Sequence, residues 1–277
     1  MKSKLIIGFA LMATFFGSCQ KNQNTTTGNP FVSLAMTSSP ENATVTKINN
    51  SIWQILLPKS FAYPPPPTLL DSAGNTVTIT SAWVNFEQIE FKYEEAASGS
   101  EVDGDSVEFN SIFAVDLLSN TPQAFVSGNI NVSQMRRVKL KLARVSSLPV
   151  GAPADFMGKS IYLSGTVNGH AFTYSTQDET VIEIAGPTLI AAVENSTLLI
   201  ELQLANLIKR TNLSTITSTT NINDSNKVSV SNPCPNIENG ASDLFTCFYI
   251  GLEKESDFGR DDDGDYILDP DEDSVKN

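Results

Sequence analysis

Between Phe31 and Leu204 the apolar residues fall in short runs, many of them alternating, with turn-forming residues between the runs. Alternation has the two-residue period of a strand with one buried face. Thr76 to Thr80 shows it. In the next run Val84 and Phe86 point one way, and Ile89, Phe91 and Tyr93 continue on the opposite parity. Such a change of face predicts a β-bulge at Glu87-Gln88. Val138, Leu140 and Leu142 form the clearest alternation, with Arg137, Lys139 and Lys141 on the other face. That cationic row reads as the solvated side of an amphipathic strand, where lysine also discourages edge pairing. Further strands are expected at Ala43–Ile48, Ser51–Leu57, Val107–Leu118, Ile161–Leu163, Ala171–Ser175, Thr180–Ile184 and Leu198–Leu204. Asn168-Gly169 between two of these is a hairpin turn signal. Tyr63 to Pro67 has four consecutive prolines and suits neither a helix nor an inner strand. It reads as a stiff surface connection. Residues 94–106 are small and polar, as in a long hairpin loop, and Asp103-Gly104-Asp105 within them is only a turn signal. Short strands at turn-separated spacing predict a mainly β protein, an antiparallel β-sandwich of the immunoglobulin or transthyretin type.

The period changes near the C-terminus. Leu244, Cys247, Phe248, Gly251 and Leu252 recur at three-four spacing, which predicts an amphipathic helix to about Glu255, with Ser242 as N-cap. It would lead directly into the acidic stretch at Asp261. Before it, residues 206–233 are dominated by Thr, Ser and Asn and read as a polar linker or long loops.

The N-terminus places the chain in a compartment. Lys2 and Lys4 precede a twelve-residue apolar run, Leu5 to Phe16. That is too short to span a bilayer and suits a secretory signal. Phe16-Gly17-Ser18-Cys19 resembles the lipobox of bacterial lipoproteins. The resemblance implies cleavage before Cys19, lipidation of its thiol, and a membrane-anchored protein of the cell envelope, outer membrane first, with periplasmic or surface face open. A plain secretory signal cut near Ser18 is the alternative. Residues 20–30 then form a polar tether. Loss of residues 1–18 removes two lysines and no acids, taking the net charge from −13 to −15. An acidic chain repels phosphate backbones, so nucleic acid is not an expected partner. The expected partners are the membrane, through the lipid, and a glycan or protein ligand. The chain has three cysteines. With Cys19 assigned to lipid, Cys234 and Cys247 form one even pair, expected as a disulfide in an oxidising compartment.

Candidate chemistry concentrates at the end. Counting Asp261 as position one, acids fall at positions one, three, five, nine and twelve: Asp261, Asp263, Asp265, Asp269 and Glu272. These are the side-chain positions of an EF-hand-type calcium loop, and Ile267 at position seven would offer its backbone carbonyl. The stretch also resembles the Asp-x-Asp-Gly-Asp repeats of thrombospondin-type proteins, with Gly264 and Ile267 matching. Calcium is therefore the expected cofactor. Position six is Tyr266 where glycine usually supplies a positive φ, and the chain leaves no room for an exiting helix.

Enzymatic signals are thin. His170 is the sole histidine and sits beside the Asn168-Gly169 turn. No Gly-x-Ser-x-Gly, P-loop or His-Glu-x-x-His pattern occurs. Trp53 and Trp83 could stack on a sugar, but their place in strands favours core packing. The reading is a non-enzymatic binding or structural lipoprotein with a structural calcium site. The alternative is a secreted-type glycan or ester hydrolase with structural calcium.

One further resemblance bears on fold. Ile112 to Leu118, ending in Asp116-Leu117-Leu118, followed by Met135-Arg136-Arg137 and its alternating strand, resembles a bacterial lipoprotein β-sandwich family of uncharacterised function, over residues 76–205. The Pro-Ala-Gly turn usual in that family before the second strand is missing here. The resemblance implies the sandwich and the lipoprotein address and carries over no catalytic residue. The expected organisation is a signal peptide (1–18), a lipidated cysteine and tether (19–30), a β-sandwich (31–205), a polar linker or loops (206–233), and a disulfide-pinned helix with calcium loop (234–277).

Overall fold

The computed structural model of the protein describes residues 30–37, 68–92, 106–119, 123–130, 134–235, 241–264, 266, 268 and 272–276. Cys19 and its signal, the strands expected at 43–57, the proline run and most of the 94–106 loop lie outside these residues.

The fold is mainly β. Its strands are β1 (Phe31–Thr37), β2 (Thr68–Leu70), β3 (Thr76–Lys92), β4 (Ser106–Asp116), β5 (Gln123–Asn129), β6 (Gln134–Leu142), β7 (Ile161–Val167), β8 (His170–Thr176), β9 (Val181–Ala191), β10 (Ser196–Leu202), β11 (Thr220–Ile222) and β12 (Ser256–Asp261). Among the described residues there are also two α-helices, α1 (Leu204–Arg210) and α2 (Leu244–Glu255), and a 3-10 turn at Ala154–Phe156. One sheet runs β12-β10-β1-β5, and a larger one runs β11-β8-β7-β3-β6-β9 with β2 and β4 added along β3. Most pairs are antiparallel, but β1 pairs with β10 and β11 with β8 in parallel. The expectation of a wholly antiparallel sheet is corrected at those two places. Both parallel pairs join strands far apart in sequence, which local alternation cannot register.

Strand β3 shows how sequence shapes the larger sheet. The residues it gives to the main core are Val77 and Ile79, then Ala82, Val84 and Phe86, then Ile89 and Phe91. The parity flips twice. Each flip matches a register shift, one between Ile79 and Ser81 against β7, the other between Phe86 and Gln88 against β4 and β6. The second is the bulge expected at Glu87-Gln88; the first, at Thr80, lies in the gap between two short alternations. Two bulges bend one long strand so that β7 pairs with its first half and β6 with its second, and the sheet curls. Asn168 and Gly169 have φ of 48° and 85°, the left-handed pair of a two-residue hairpin joining β7 to β8.

A single apolar core lies between the sheets. Leu34, Leu198, Ile200 and Phe258 come from one side, and Phe86, Phe91, Leu140 and Ile184 from the other. The Phe91 and Phe258 rings meet at 5.4 Å. A satellite cluster of Trp83, Val145, Phe156 and Tyr162 sits apart from this core. It accounts for Trp83 as a packing residue. Strand β6 is interior to its sheet, so its cations do not guard an edge. They are paired instead: Arg137 and Lys139 with Glu183 at 3.2 and 3.5 Å, and Lys141 with Glu87 at 2.6 Å.

The polar stretch 206–233 is packed against the fold and includes much of α1 and all of β11. Leu207, Ile208, Leu213, Ile216 and Ile222 are buried. The buried Asp71 carboxylate ties it to the β2–β3 turn, accepting from the backbone N–H groups of Asn75 (2.7 Å) and Leu213 (2.8 Å). Sparse but well-spaced apolar residues were hidden among Thr, Ser and Asn.

Helix α2 forms where the three-four spacing places it. Its N-cap is Asp243, not Ser242: the Asp243 side chain accepts from the Thr246 N–H at 2.8 Å, and the Ser242 hydroxyl donates to Asp243 at 2.9 Å. Asp243 is held below the usual carboxylate range: partial desolvation pushes it up, but hydrogen bonds from Thr246 and Ser242 outweigh that. Phe245 and Phe248 pack on Tyr174 of β8 at 5.6 and 4.8 Å. Gly251 allows close approach of Leu207 from α1, and Arg210 pairs with the buried Glu255 at 2.8 Å. The Cys234–Cys247 disulfide is formed, with Cα atoms 5.6 Å apart, and pins the helix to the segment before it.

Candidate metal site at the C-terminal loop

The acidic stretch is entered from a strand. Helix α2 ends at Glu255, and β12 runs directly on from Ser256 to Asp261. The expectation that the helix feeds the loop is therefore corrected. Phe258 supplies the reason: it is fully buried between the sheets, and β12 pairs antiparallel with β10 from Ser256↔Leu202 to Asp261↔Thr197. The polar Ser-Asp-Phe-Gly-Arg-Asp run has too few apolar residues for its alternation to be seen.

The loop returns to β12 at its far end. Gly259 and Ser274 form an antiparallel bridge, the Arg260 N–H donates to the Asp273 carbonyl at 2.9 Å, and the Val275 N–H to Phe258 at 2.8 Å. Asp261 and Glu272 therefore stand beside each other at the base of the loop. The Asp262 N–H donates to a Glu272 carboxylate oxygen at 2.7 Å. Asp261 accepts from the Gly264 N–H at 2.6 Å and from the Tyr266 N–H at 3.3 Å. These bonds fold the first turn of the loop over the Asp261 carboxylate.

The result is a trio. One carboxylate oxygen each from Asp261, Asp263 and Glu272 lies within 4.8 Å of the others. Three carboxylates at that spacing, one buried and one exposed, are able to coordinate a divalent cation. The donors are all oxygens, and both described cysteines are committed to the disulfide. Such a set suits a hard cation, not a soft one. Asp265, Ile267 and Asp269, the other expected ligands, lie outside the described residues.

Arg260 is the residue that spacing alone does not reveal. Its guanidinium donates to both Asp262 oxygens, at 2.5 and 3.0 Å, to Asp273 at 2.9 Å and to the Ala191 carbonyl at 3.2 Å. The hydrogen bond from Arg260 holds the Asp262 carboxyl below its usual range, and the bond to Asp262 pushes the guanidinium up. Arg260 thus draws two acids of the run to the outside. The signal was a lone arginine immediately before three aspartates.

Two glycine-type positions shape the turn. Gly264 has φ 81°, and Tyr266, at loop position six, has φ 64°. The left-handed backbone that an EF-hand-type loop asks of position six is adopted here by tyrosine, a residue that rarely takes it.

His170 is exposed at the start of β8, paired with Val167 across the hairpin. Among the described residues no nucleophile–histidine–carboxylate arrangement surrounds it. No helix among them is long and apolar enough to cross a membrane.

No family model, no curated protein and no solved structure matches the chain. The site is therefore read from its own chemistry.

Proposed function

We propose that the protein is an envelope-anchored lipoprotein with a binding or structural role, and that its C-terminal loop holds a structural calcium ion. The observation that carries the calcium reading is the convergence of Asp261, Asp263 and Glu272 where the loop leaves β12 and returns to it. Calcium accepts irregular sets of six to eight oxygens, whereas magnesium demands near-ideal octahedral geometry and keeps its waters. The loop carries eight acids between Asp261 and Asp273, and Arg260 pairs with two of them, Asp262 and Asp273. A bound dication offsets that repulsion and fastens the two ends of the loop. Sites of this extracellular kind bind at about 10⁻⁴ to 10⁻³ M. Millimolar calcium is expected to raise the melting temperature, chelator to reverse the rise, and Asp263→Ala with Glu272→Ala to abolish it. Identical melting of the wild type with calcium and with chelator would sink the reading.

The anchoring proposal rests on the signal and Cys19. The disulfide supports an oxidising address for the folded part. Metabolic labelling with a fatty acid should tag the full-length protein and fail with Cys19→Ala. Equal labelling of both would refute it. The immunoglobulin- or transthyretin-like description of the β-body belongs to the same proposal, with the two sheets around one core as its support.

A further inference from the structure

The last described residues do more than close the loop. Glu272 to Lys276 run as a strap between the two sheets. On one side the strap pairs with β12, through Arg260, Phe258 and the Gly259↔Ser274 bridge. On the other, the Thr188 N–H of β9 donates to the Val275 carbonyl at 3.3 Å.

The seat is cut for a backbone. A Cβ on Gly186 of β9 would collide with the Val275 carbonyl, and one on Gly259 would lie 2.5 Å from the Asp273 carbonyl oxygen. Gly186-Pro187 stands where β9 departs from β6: Arg137 pairs with Ala185, but Met135 pairs with Ile190. Glycine inside a strand marks a bulge or a close backbone approach, and here it marks both.

Three features of the seat read side chains in order. The buried Asp257 carboxylate accepts from the Ser274 hydroxyl at 3.0 Å. Val275 is fully buried in the main core. The Lys276 ammonium donates to the Lys254 carbonyl at 2.7 Å and to that of Ser256, at the C-terminal end of α2, where the helix dipole favours a cation.

The strap carries a single apolar side chain, Val275. Closing it also keeps Asp257 out of water, and burial pushes that carboxyl up against the hydrogen bonds from Phe258 and Ser274. Segments with few buried apolar contacts open well below the free energy of global unfolding.

We propose that the seam between β12 and β9 is a strand-accepting groove for an extended peptide, and that residues 272–276 occupy it as an internal ligand. The peptide class follows from the seat: a hydroxyl residue, then a small β-branched residue, then a cation, bound by main-chain pairing as in strand addition. The proposal rests on the packing of the strap and not on the cation reading, so the test is run in chelator throughout.

In the full chain, hydrogen exchange should show the amides of Thr188, Arg260 and Val275 opening together, at least tenfold faster than those of β3 and β7. Val275→Asp should evict the strap while β3 and β7 keep their protection. A fluorescent peptide of residues 271–277 should then bind that variant. It should lose at least tenfold in affinity when the peptide carries Val275→Asp, or when the protein also carries Gly186→Val. Strap amides that exchange only with the core, or a folded Val275→Asp chain that does not take the peptide, would overturn the proposal. If Val275→Asp does not fold, the strap is part of the core, and that also overturns it.

Discussion

At the scale of single residues, the acidic run is not one charge cloud. Asp261, Asp263 and Glu272 converge, while Asp262 and Asp273 are held by Arg260. The two groups predict opposite outcomes. Asp263→Ala should remove the thermal response to calcium, whereas Asp262→Ala should leave it, because Asp262 points away from the trio. Isothermal titration on the two variants would separate them, and equal loss in both would mean that only net charge matters. Tyr266 gives a second test. Its φ of 64° costs a residue with a Cβ roughly 1–2 kcal/mol. Tyr266→Gly should therefore raise the stability of the calcium-loaded protein by about 1 kcal/mol, read as a higher denaturant midpoint. The need for an unusual backbone at this position was legible from the sequence. That tyrosine itself adopts it was not, because local bonds such as Tyr266 N–H to Asp261 are invisible before the chain is folded.

At the scale of elements, the helix and the disulfide were read with little error, since both rest on local spacing. Cys247 faces the buried side of α2, thirteen residues from its partner. Opening a loop of that size costs about 3 kcal/mol in the chain-entropy model. Cys234→Ser with Cys247→Ser should lower unfolding free energy by about that amount in a denaturant titration. Asp243→Ala should cost about 1 kcal/mol through loss of the N-cap. Because the folded Asp243 carboxyl is lowered, its stabilisation is present above its unfolded value of about 4 and is lost as pH falls through the folded one. The variant should accordingly lose less stability on acidification than the wild type. What sequence missed at this scale was β12 and the packed 204–222 segment. Both are short, polar at most positions, and held by partners distant in the chain, such as β10 and Asp71. The β3 bulge at Glu87 was legible because long alternations flank it; that at Thr80 was not, because the alternation before it is only five residues.

At the scale of the whole molecule, charge and burial set a pH preference. Desolvation pushes the carboxyls of Asp116, Glu253 and Asp257 up, against partial relief from hydrogen bonds and nearby lysines. Groups raised on folding stabilise below their unfolded value near 4, and that contribution is lost as pH rises through the folded value. Asp243 and Asp262 act in the opposite sense below about pH 4. Without calcium, the melting temperature should therefore fall as pH rises above about 4, and Asp257→Asn should flatten the decline. A flat profile in the wild type would contradict this. The topology has a kinetic consequence as well. Strand β1, near the start of the chain, is flanked by β5 and β10, and β10 in turn by β12, so the first strand waits for residues some 165 positions later. A chain that emerges N-terminus first cannot complete this sheet until almost all of it is out. Folding dominated by such distant pairings is slow, and the nascent chain stays unfolded for longer. If the chain is exported, as the proposed envelope address requires, a delay of that kind keeps it able to thread through a narrow pore before it takes its shape.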